Sequence, residues 1–142
     1  MVRLSRACYD EIIAHCRRQY PKEACGILAG SSSGAVQAGA ERLVIQVYPM
    51  RNVEESPIGY SMDPKEQLVV EKRMRSHSQR MIGIYHSHTA TEAYPSSVDV
   101  SLAISPDVSY VLVSLKDRAQ PVMHSYRIQD QRITREDLQV QE

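Results

Sequence analysis

Two histidines and an aspartate stand close together in the sequence, at a spacing that suits a metal ion. His86 and His88 are separated by one residue, and Asp99 follows eleven positions after His88. Side chains two positions apart in a β-strand point to the same face, so both imidazoles can aim at one point. Two nitrogens and one carboxylate oxygen leave a tetrahedral zinc with an open position for water, which is typical of catalytic sites. The spacing therefore predicts a catalytic zinc site.

Ser96 lies three positions before Asp99, where a short helix is expected to begin. The same spacing fits a simpler interpretation, in which Ser96 is an N-cap and Asp99 is its partner in a variant of the capping box. His86 and His88 have a comparable alternative, as polar residues at the end of a strand. The combination favours the metal site, because the chain has only five histidines and two of them share one strand face.

Glu23 is the candidate for the acid and base that such a site requires. A metal-activated water must lose a proton and a departing amine must gain one, and a single carboxylate can serve both purposes. Glu23 immediately precedes the apolar segment ACGILAG. An ionisable group at the mouth of a buried strand is costly unless it is needed. An exposed turn after residues 21–22 is the alternative, and it would be preferred if the metal ligands were absent.

The elements that must position these residues follow from the apolar pattern and from the residues that begin and end helices. We expect helices at residues 5–20 and 64–78 and a short helix that begins at Ser96 or Ser97. We expect strands at residues 24–29, 42–48, 81–88, 110–115 and 122–128, with the strand at 42–48 covered on both faces. Residues 49–61 read as a long surface loop. The alternation of helices and strands predicts a three-layer α/β fold, with a central mixed sheet flanked by helices.

The segment PKEACGILAG at residues 21–30 is followed about sixty residues later by HSH at 86–88 and then, after seven residues, by SSVD at 96–99. This combination resembles the JAMM (MPN-plus, or Mov34/MPN/PAD-1) zinc metalloproteases. No departure from the motif is visible, and the order of elements agrees over nearly the whole chain. The resemblance implies the MPN fold, which is similar to that of cytidine deaminases.

The resemblance also implies a role for each residue of the motif. It implies that His86, His88 and Asp99 bind Zn²⁺. Glu23 would take a proton from the water and pass it to the leaving amine, and Ser96 would hydrogen-bond the oxyanion or orient the carbonyl. Members of the family hydrolyse peptide or isopeptide bonds at the C-terminal tails of ubiquitin-like proteins.

Two further segments, YSMDP at residues 60–64 and TATEAYP at 89–95, resemble the prokaryotic members that process ubiquitin-like sulfur-carrier proteins. The resemblance implies a carrier protein as substrate, with release of a C-terminal cysteine as one reaction. Removal of a carrier from a lysine, as in deubiquitination, is the alternative. We expect the tail to lie between the loop at 50–61 and residues 89–94, with Tyr60, Thr89 and Tyr94 as substrate contacts.

Other classes of function fit the sequence less well. A catalytic Cys25 would need an electropositive and partly exposed environment, whereas Cys25 lies in an apolar segment. A zinc deaminase would show HxE and a later PCxxC, and the chain has neither. A non-catalytic scaffold for partner proteins stays open as an alternative, but scaffolds of this fold usually lack the metal ligands.

The length and composition of the chain predict one globular domain spanning residues 1–142. The chain is 42% apolar and 24% charged, and seventeen basic residues balance seventeen acidic ones. This balance gives no sign of a nucleic-acid or membrane partner. Three cysteines without a CxxC pair, and the absence of a long apolar run, predict a cytoplasmic protein with free thiols. The sequence leaves the oligomeric state open, a homodimer included.

Overall fold

The computed structural model describes residues 1–34, 41–103 and 105–142, and within these ranges the chain forms nine strands and three helices. In chain order the elements are β1 (Val2–Ser5), α1 (Arg6–Gln19), β2 (Cys25–Ser31), β3 (Arg42–Val44), β4 (Gln46–Met50), α2 (Pro64–Ser76), β5 (Gln79–His88), α3 (Ser97–Leu102), β6 (Ser109–Ser114), β7 (Val122–Gln129), β8 (Arg132–Glu136) and β9 (Leu138–Gln141).

Six strands form the main sheet in the order β4-β2-β5-β6-β7-β8. The pair β5 and β6 is parallel, and the other pairs of this sheet are antiparallel. Helix α1 packs on one face through a cluster that includes Ile12 and Val111. Helices α2 and α3 pack on the other face, through clusters that include Val70 and Leu112 respectively. The predicted α/β class, a central mixed sheet between helices, is confirmed.

The predicted helix starts are confirmed by their caps. The Ser5 hydroxyl accepts a hydrogen bond from the amide of Cys8 at the start of α1. The Asp63 carboxylate accepts one from the amide of Lys65, with Pro64 in the first turn of α2. These side chains satisfy amides that a helix leaves without internal partners.

The prediction of one strand at residues 42–48, covered on both faces, is wrong. This segment forms two strands in different sheets, because the Ile45 amide between them donates to the carbonyl of Ala29 rather than continuing the β3 ladder. Leu43 and Ile45 are 48% and 45% exposed, while the Arg42 side chain is buried and donates to the carbonyl of Ile82. The apolar alternation was misleading here because the charged side chain of Arg42 occupies one of the buried positions. The predicted loop accordingly starts later, since β4 extends to Met50.

A second sheet, in the order β3-β1-β9, was not predicted. Its two strand pairs are parallel, and β1 in the middle buries Val2 and Leu4 against α1. Leu138 and Val140 of β9 pack against the same cluster. Strands of three or four residues with alternating polar side chains give a weak sequence signal. In the described part of the chain, no helix is long and apolar enough to cross a membrane.

Candidate active site

The structure brings the three predicted metal ligands together. His86 and His88 end strand β5, and Asp99 lies in the first turn of α3. The two Nε2 atoms are 3.2 Å apart. The Asp99 carboxylate spans them, with Oδ1 3.2 Å from Nε2 of His86 and Oδ2 3.0 Å from Nε2 of His88. The ligand atoms of the three residues lie within 4.8 Å of one another, so this group can hold a metal ion.

The protonation states of His86 and Asp99 suit metal binding. Burial lowers the pKa of His86, which keeps its imidazole in the neutral form that binds metals. Burial opposes ionisation of Asp99, but hydrogen bonds from His86 and His88 hold the pKa of its carboxyl well below the usual range. Asp99 therefore offers a negative charge to a cation at neutral pH.

Each histidine is oriented by a different neighbour. Nδ1 of His88 lies 2.9 Å from the carbonyl of Glu92, to which it donates, and this bond directs Nε2 toward the other ligands. Nδ1 of His86 is buried without a hydrogen-bond partner among the described residues. Its ring stacks instead on the ring of Tyr60, with centroids 4.6 Å apart and an angle of 29° between the planes.

The capping box, considered above as an alternative to the metal site, is present together with it. The Ser96 hydroxyl oxygen accepts from the Asp99 amide at 3.1 Å, and the Ser96 amide donates to Oδ2 of Asp99 at 2.8 Å. The box therefore fixes the carboxylate that faces the two histidines. Because Ser96 is exposed and its oxygen acts as an acceptor here, its O–H proton can still be donated to another molecule.

Glu23 lies two residues before the start of β2 and is only 5% exposed, so the alternative of an exposed turn is wrong. The pKa of its carboxyl is raised to about 7, chiefly by burial; the charge of His88 opposes this shift and that of Asp99 adds to it. A carboxyl with a pKa near 7 can both accept and donate a proton at neutral pH. The Glu23 carboxyl is therefore near enough to Asp99 and His88 for their charges to affect its pKa.

Two loops flank this group, and the three predicted substrate contacts lie on them. Tyr60 contacts His86, as described above. The Thr89 hydroxyl donates to the carbonyl of Pro57 at 3.1 Å, so it joins the loop at residues 51–62 to the loop at 89–95. Tyr94 is 55% exposed and contacts the ring of Tyr126 edge-on. Direct contact of these three side chains with a substrate stays a prediction.

Cys25 and the remaining histidines have other environments. Cys25 is fully buried, and burial raises the pKa of its thiol to about 12. The reactive thiolate is therefore absent at neutral pH, which disfavours a cysteine nucleophile. His15 is buried on the opposite side of the sheet beside the hydroxyl of Tyr85. His77 is exposed and His124 is half-buried.

Sequence reasoning missed two residues that hold Glu23 and the next residue, Ala24, in place. Asn52, in the loop after β4, donates from Nδ2 to the carbonyl of Glu23 at 3.0 Å. Ser87, between the two histidines, accepts from the amide of Ala24 at 2.8 Å through its hydroxyl. The alternation of a strand predicts that Ser87 points away from the ligands, but its partner becomes visible only in the pairing of β5 with the segment around Glu23.

Comparison with known protein families decides the identity of the fold. The family of prokaryotic homologs of the JAB domain matches residues 5–129. The chain belongs to this family. The resemblance to JAMM proteins is thereby confirmed over most of the length of the chain.

Similar proteins and solved structures agree with this assignment. The CysO-cysteine peptidase of Mycobacterium tuberculosis is 47% identical over 94% of this chain and 86% of its own length. The desampylase of Haloferax volcanii is 32% identical over 74% of each chain. The solution structure of a Desulfitobacterium hafniense protein superposes with a TM-score of 0.88 at 39% identity, covering 100% of this chain and 94% of that one. A JAB1/MPN domain protein of Archaeoglobus fulgidus shares the fold at 17% identity, with a TM-score of 0.61 and 99% of both chains covered.

Proposed function

We propose that this JAB-domain protein is a zinc-dependent hydrolase that cuts a peptide or isopeptide bond at the C-terminal tail of a ubiquitin-like sulfur-carrier protein. One observation carries the proposal: His86, His88 and Asp99 converge, and the charges of Asp99 and His88 act on the buried carboxyl of Glu23. The substrate class is supported by the names of two relatives, a CysO-cysteine peptidase and a desampylase.

Zinc is the metal that best fits these residues. Two imidazole nitrogens and one carboxylate oxygen are common zinc donors, and donors bound to one tetrahedral zinc lie roughly 3.3 Å apart. The separations of 3.0 and 3.2 Å among the donor atoms of His86, His88 and Asp99 approach that value. When bound, zinc polarises the scissile carbonyl and lowers the pKa of a water to roughly 7.

Glu23 and Ser96 supply the remaining chemistry. The Glu23 carboxyl, with its pKa near 7, accepts a proton from the attacking water and returns one to the leaving amine. The Ser96 hydroxyl lies on the capping box next to Asp99 and donates to the oxygen that gains negative charge at the scissile carbonyl. Acid and base catalysis contributes typically 10²- to 10⁴-fold in rate, and one oxyanion donor about 10²- to 10³-fold.

The substrate tail lies between the loop at residues 51–62 and the loop at 89–95. An extended tail can pair with exposed backbone as an added strand. Ile58 in the first loop is 86% exposed, and Tyr94 on the second is 55% exposed, so both offer apolar surface to a protein substrate. Tyr60 and Thr89 line the space between the loops, next to His86 and Pro57 respectively.

Cysteine is the leaving group that we favour. The relative named for a CysO-cysteine substrate is 47% identical to this chain, whereas the desampylase is 32% identical. Release of a carrier from a lysine side chain is the second candidate, and both reactions use the same ligand group and the same Glu23.

Incubation of the zinc-loaded protein with two carrier substrates tests this proposal. One carrier ends in an added cysteine, and the other is joined to a lysine side chain through an isopeptide bond. Mass spectrometry should show faster release of cysteine, and a metal chelator should abolish it. The His88→Ala variant is the matched control, because it lacks one ligand. Failure of the zinc-loaded protein to cut either bond would contradict the proposal.

We also propose that residues 1–142 form one domain that works in the reducing cytoplasm. The strands at the two ends of the chain, β1 and β9, pair in one sheet and share a core cluster with α1. The three cysteines are free thiols, two of them buried, which supports a reducing compartment.

A further inference from the structure

Asn52 lies in the loop after β4 and is only 7% exposed. Its side chain uses its full hydrogen-bonding capacity. Nδ2 donates to the carbonyls of Glu23 at 3.0 Å and Gly59 at 2.9 Å. Oδ1 accepts from the amides of Glu54 at 3.1 Å and Ser61 at 3.0 Å. Four bonds to backbone groups fix the orientation of this amide, because any other orientation would leave buried polar groups unpaired.

Three of these bonds connect Asn52 to backbone groups of its own loop, and the fourth connects it to a residue outside the loop. Glu54, Gly59 and Ser61 all belong to the loop that flanks the ligand group. The bond to the Glu23 carbonyl instead joins residues that are 29 positions apart in the sequence. The loop therefore holds the Asn52 side chain in place, and this side chain in turn binds the carbonyl of Glu23.

The main chain of Glu23 is held by this loop on both sides. Its amide donates to the carbonyl of Ser56 at 2.8 Å, and its carbonyl accepts from Asn52. Glu23 precedes the first residue of β2, so the strand ladder does not hold it. The next peptide is anchored elsewhere, since the Ala24 amide donates to Ser87 and the Ser87 amide donates to the Ala24 carbonyl.

Glu23 thus lies at a junction between two supports. Strand β5, which carries both histidines, fixes Ala24, while the loop at residues 51–62 fixes Glu23 itself through Asn52 and Ser56. A shift of the loop changes the position of the Glu23 carboxyl relative to the ligands. A misplacement of about 1 Å in a catalytic group can cost roughly 10²-fold in rate.

We propose that Asn52 is a positioning residue that holds the main chain of Glu23 so that its carboxyl faces the metal ligands. In this arrangement the loop that borders the substrate and the carboxyl that moves the protons form one hydrogen-bonded unit. Asn52 itself touches neither substrate nor metal. The inference rests on the proposed function for the role of Glu23, whereas the structural link between Asn52 and Glu23 stands on the hydrogen bonds alone.

Asn52→Asp is the most informative variant. Aspartate has nearly the same shape, and its oxygen still accepts from the amides of Glu54 and Ser61, so the loop keeps two of its bonds. It cannot donate to the carbonyls of Glu23 and Gly59. Asn52→Ala removes all four bonds and serves as the more severe variant. Ser125→Ala is the matched control for stability, because it removes the hydrogen bond from the buried Ser125 hydroxyl to Glu136, far from this loop.

The first measurement needs no substrate. Amide hydrogen exchange should become at least tenfold faster at Glu23 in Asn52→Asp than in the wild type, while the amide of Val111 in the core stays unchanged. Ser125→Ala should leave exchange at Glu23 unchanged. Unaltered exchange at Glu23 in Asn52→Asp would overturn the inference, whether or not the protein cuts a carrier.

The second measurement separates positioning from substrate binding. We expect kcat on the carrier that ends in cysteine to fall 10- to 100-fold in Asn52→Asp, with KM and zinc affinity within threefold of the wild type. Ser125→Ala should keep the wild-type kcat. A raised KM with unchanged kcat would show that Asn52 only shapes the substrate loop, and would overturn the inference. A wild type that cuts neither carrier would refute the proposed function, while the exchange measurement would still decide the role of Asn52.

Discussion

Asp99 shows that two interpretations of one residue can both be correct. Its spacing from Ser96 predicts either a capping box or a metal ligand, and the structure contains the box while turning the same carboxylate toward His86 and His88. The sequence predicted these residues because their types and spacing carry the signal. Asn52 and Ser87 have no such signal, since their partners are backbone groups whose positions depend on the fold.

The stacking of Tyr60 on His86 leads to a prediction about zinc affinity. His86 lacks a hydrogen bond at Nδ1 among the described residues, so the ring of Tyr60 is its observed lateral support. Loss of a group that orients a ligand typically weakens metal binding roughly 10- to 100-fold. We expect Tyr60→Ala to weaken zinc binding about tenfold and Tyr60→Phe to retain wild-type affinity, measured by competition with a coloured chelator. Equal affinities in both variants would show that the stack does not support His86.

His15 leads to a prediction about stability at low pH. Burial lowers its pKa to about 4, from an ordinary value of 6.5, with Arg18 adding to the shift. His15 therefore binds a proton more readily in the unfolded chain than in the folded one. As a result, the folded protein keeps its full stability above pH 6.5 and loses stability as the pH falls toward 4. The expected loss is about 2 kcal/mol at pH 5.

Urea unfolding at pH 7 and pH 5 checks this prediction. His15→Gln keeps a polar group beside the Tyr85 hydroxyl but cannot be protonated in this range. Its free energy of unfolding should therefore change less between the two pH values than that of the wild type. The same change in both proteins would exclude His15 as the cause.

At the level of elements, strong periodicity and good caps were reliable signals. The helices that start after Ser5 and Asp63, and the strand that ends at His88, lie close to their predicted positions. Residues 42–48 were misread because Arg42 is buried in an apolar pattern. The short strands β8 and β9 were missed because a pattern of four or five residues gives a weak signal. β8 pairs with the preceding strand β7, whereas β9 pairs with β1 at the other end of the chain, a partner that the sequence does not reveal.

Gly26 on β2 carries a prediction about packing between central strands. It pairs with Tyr85 of β5, and a Cβ atom at Gly26 would overlap the Tyr85 ring. Overpacking of this kind costs typically 1–3 kcal/mol, so we expect Gly26→Ala to lower the free energy of unfolding by about 2 kcal/mol. Denaturant unfolding measures the loss.

A double-mutant cycle with Tyr85→Ala identifies the cause of that loss. In the Tyr85→Ala background the ring is absent, so Gly26→Ala should cost much less than it does alone. If the two costs simply add, contact with the Tyr85 ring is not the reason that position 26 requires glycine.

At the level of the whole molecule, the fold gathers four separate segments at one end of the main sheet. They are the residues before β2, the loop at 51–62, the end of β5 and the start of α3. The sequence predicted three of these as sources of ligands and acid, because the motif spans them. It predicted the loop only as a border of the substrate, since the bonds that tie it to Glu23 are visible only in three dimensions.

The central claim is that the three ligands and Glu23 form one catalytic unit, and turnover per bound zinc tests it most directly. Zinc content and cleavage of the carrier that ends in cysteine would be measured on the same samples of wild type, Glu23→Gln and His88→Ala. We predict that Glu23→Gln retains one zinc per chain and loses at least 10²-fold in turnover, whereas His88→Ala loses both zinc and turnover. A zinc-loaded Glu23→Gln protein that cuts at a rate near that of the wild type would contradict the account.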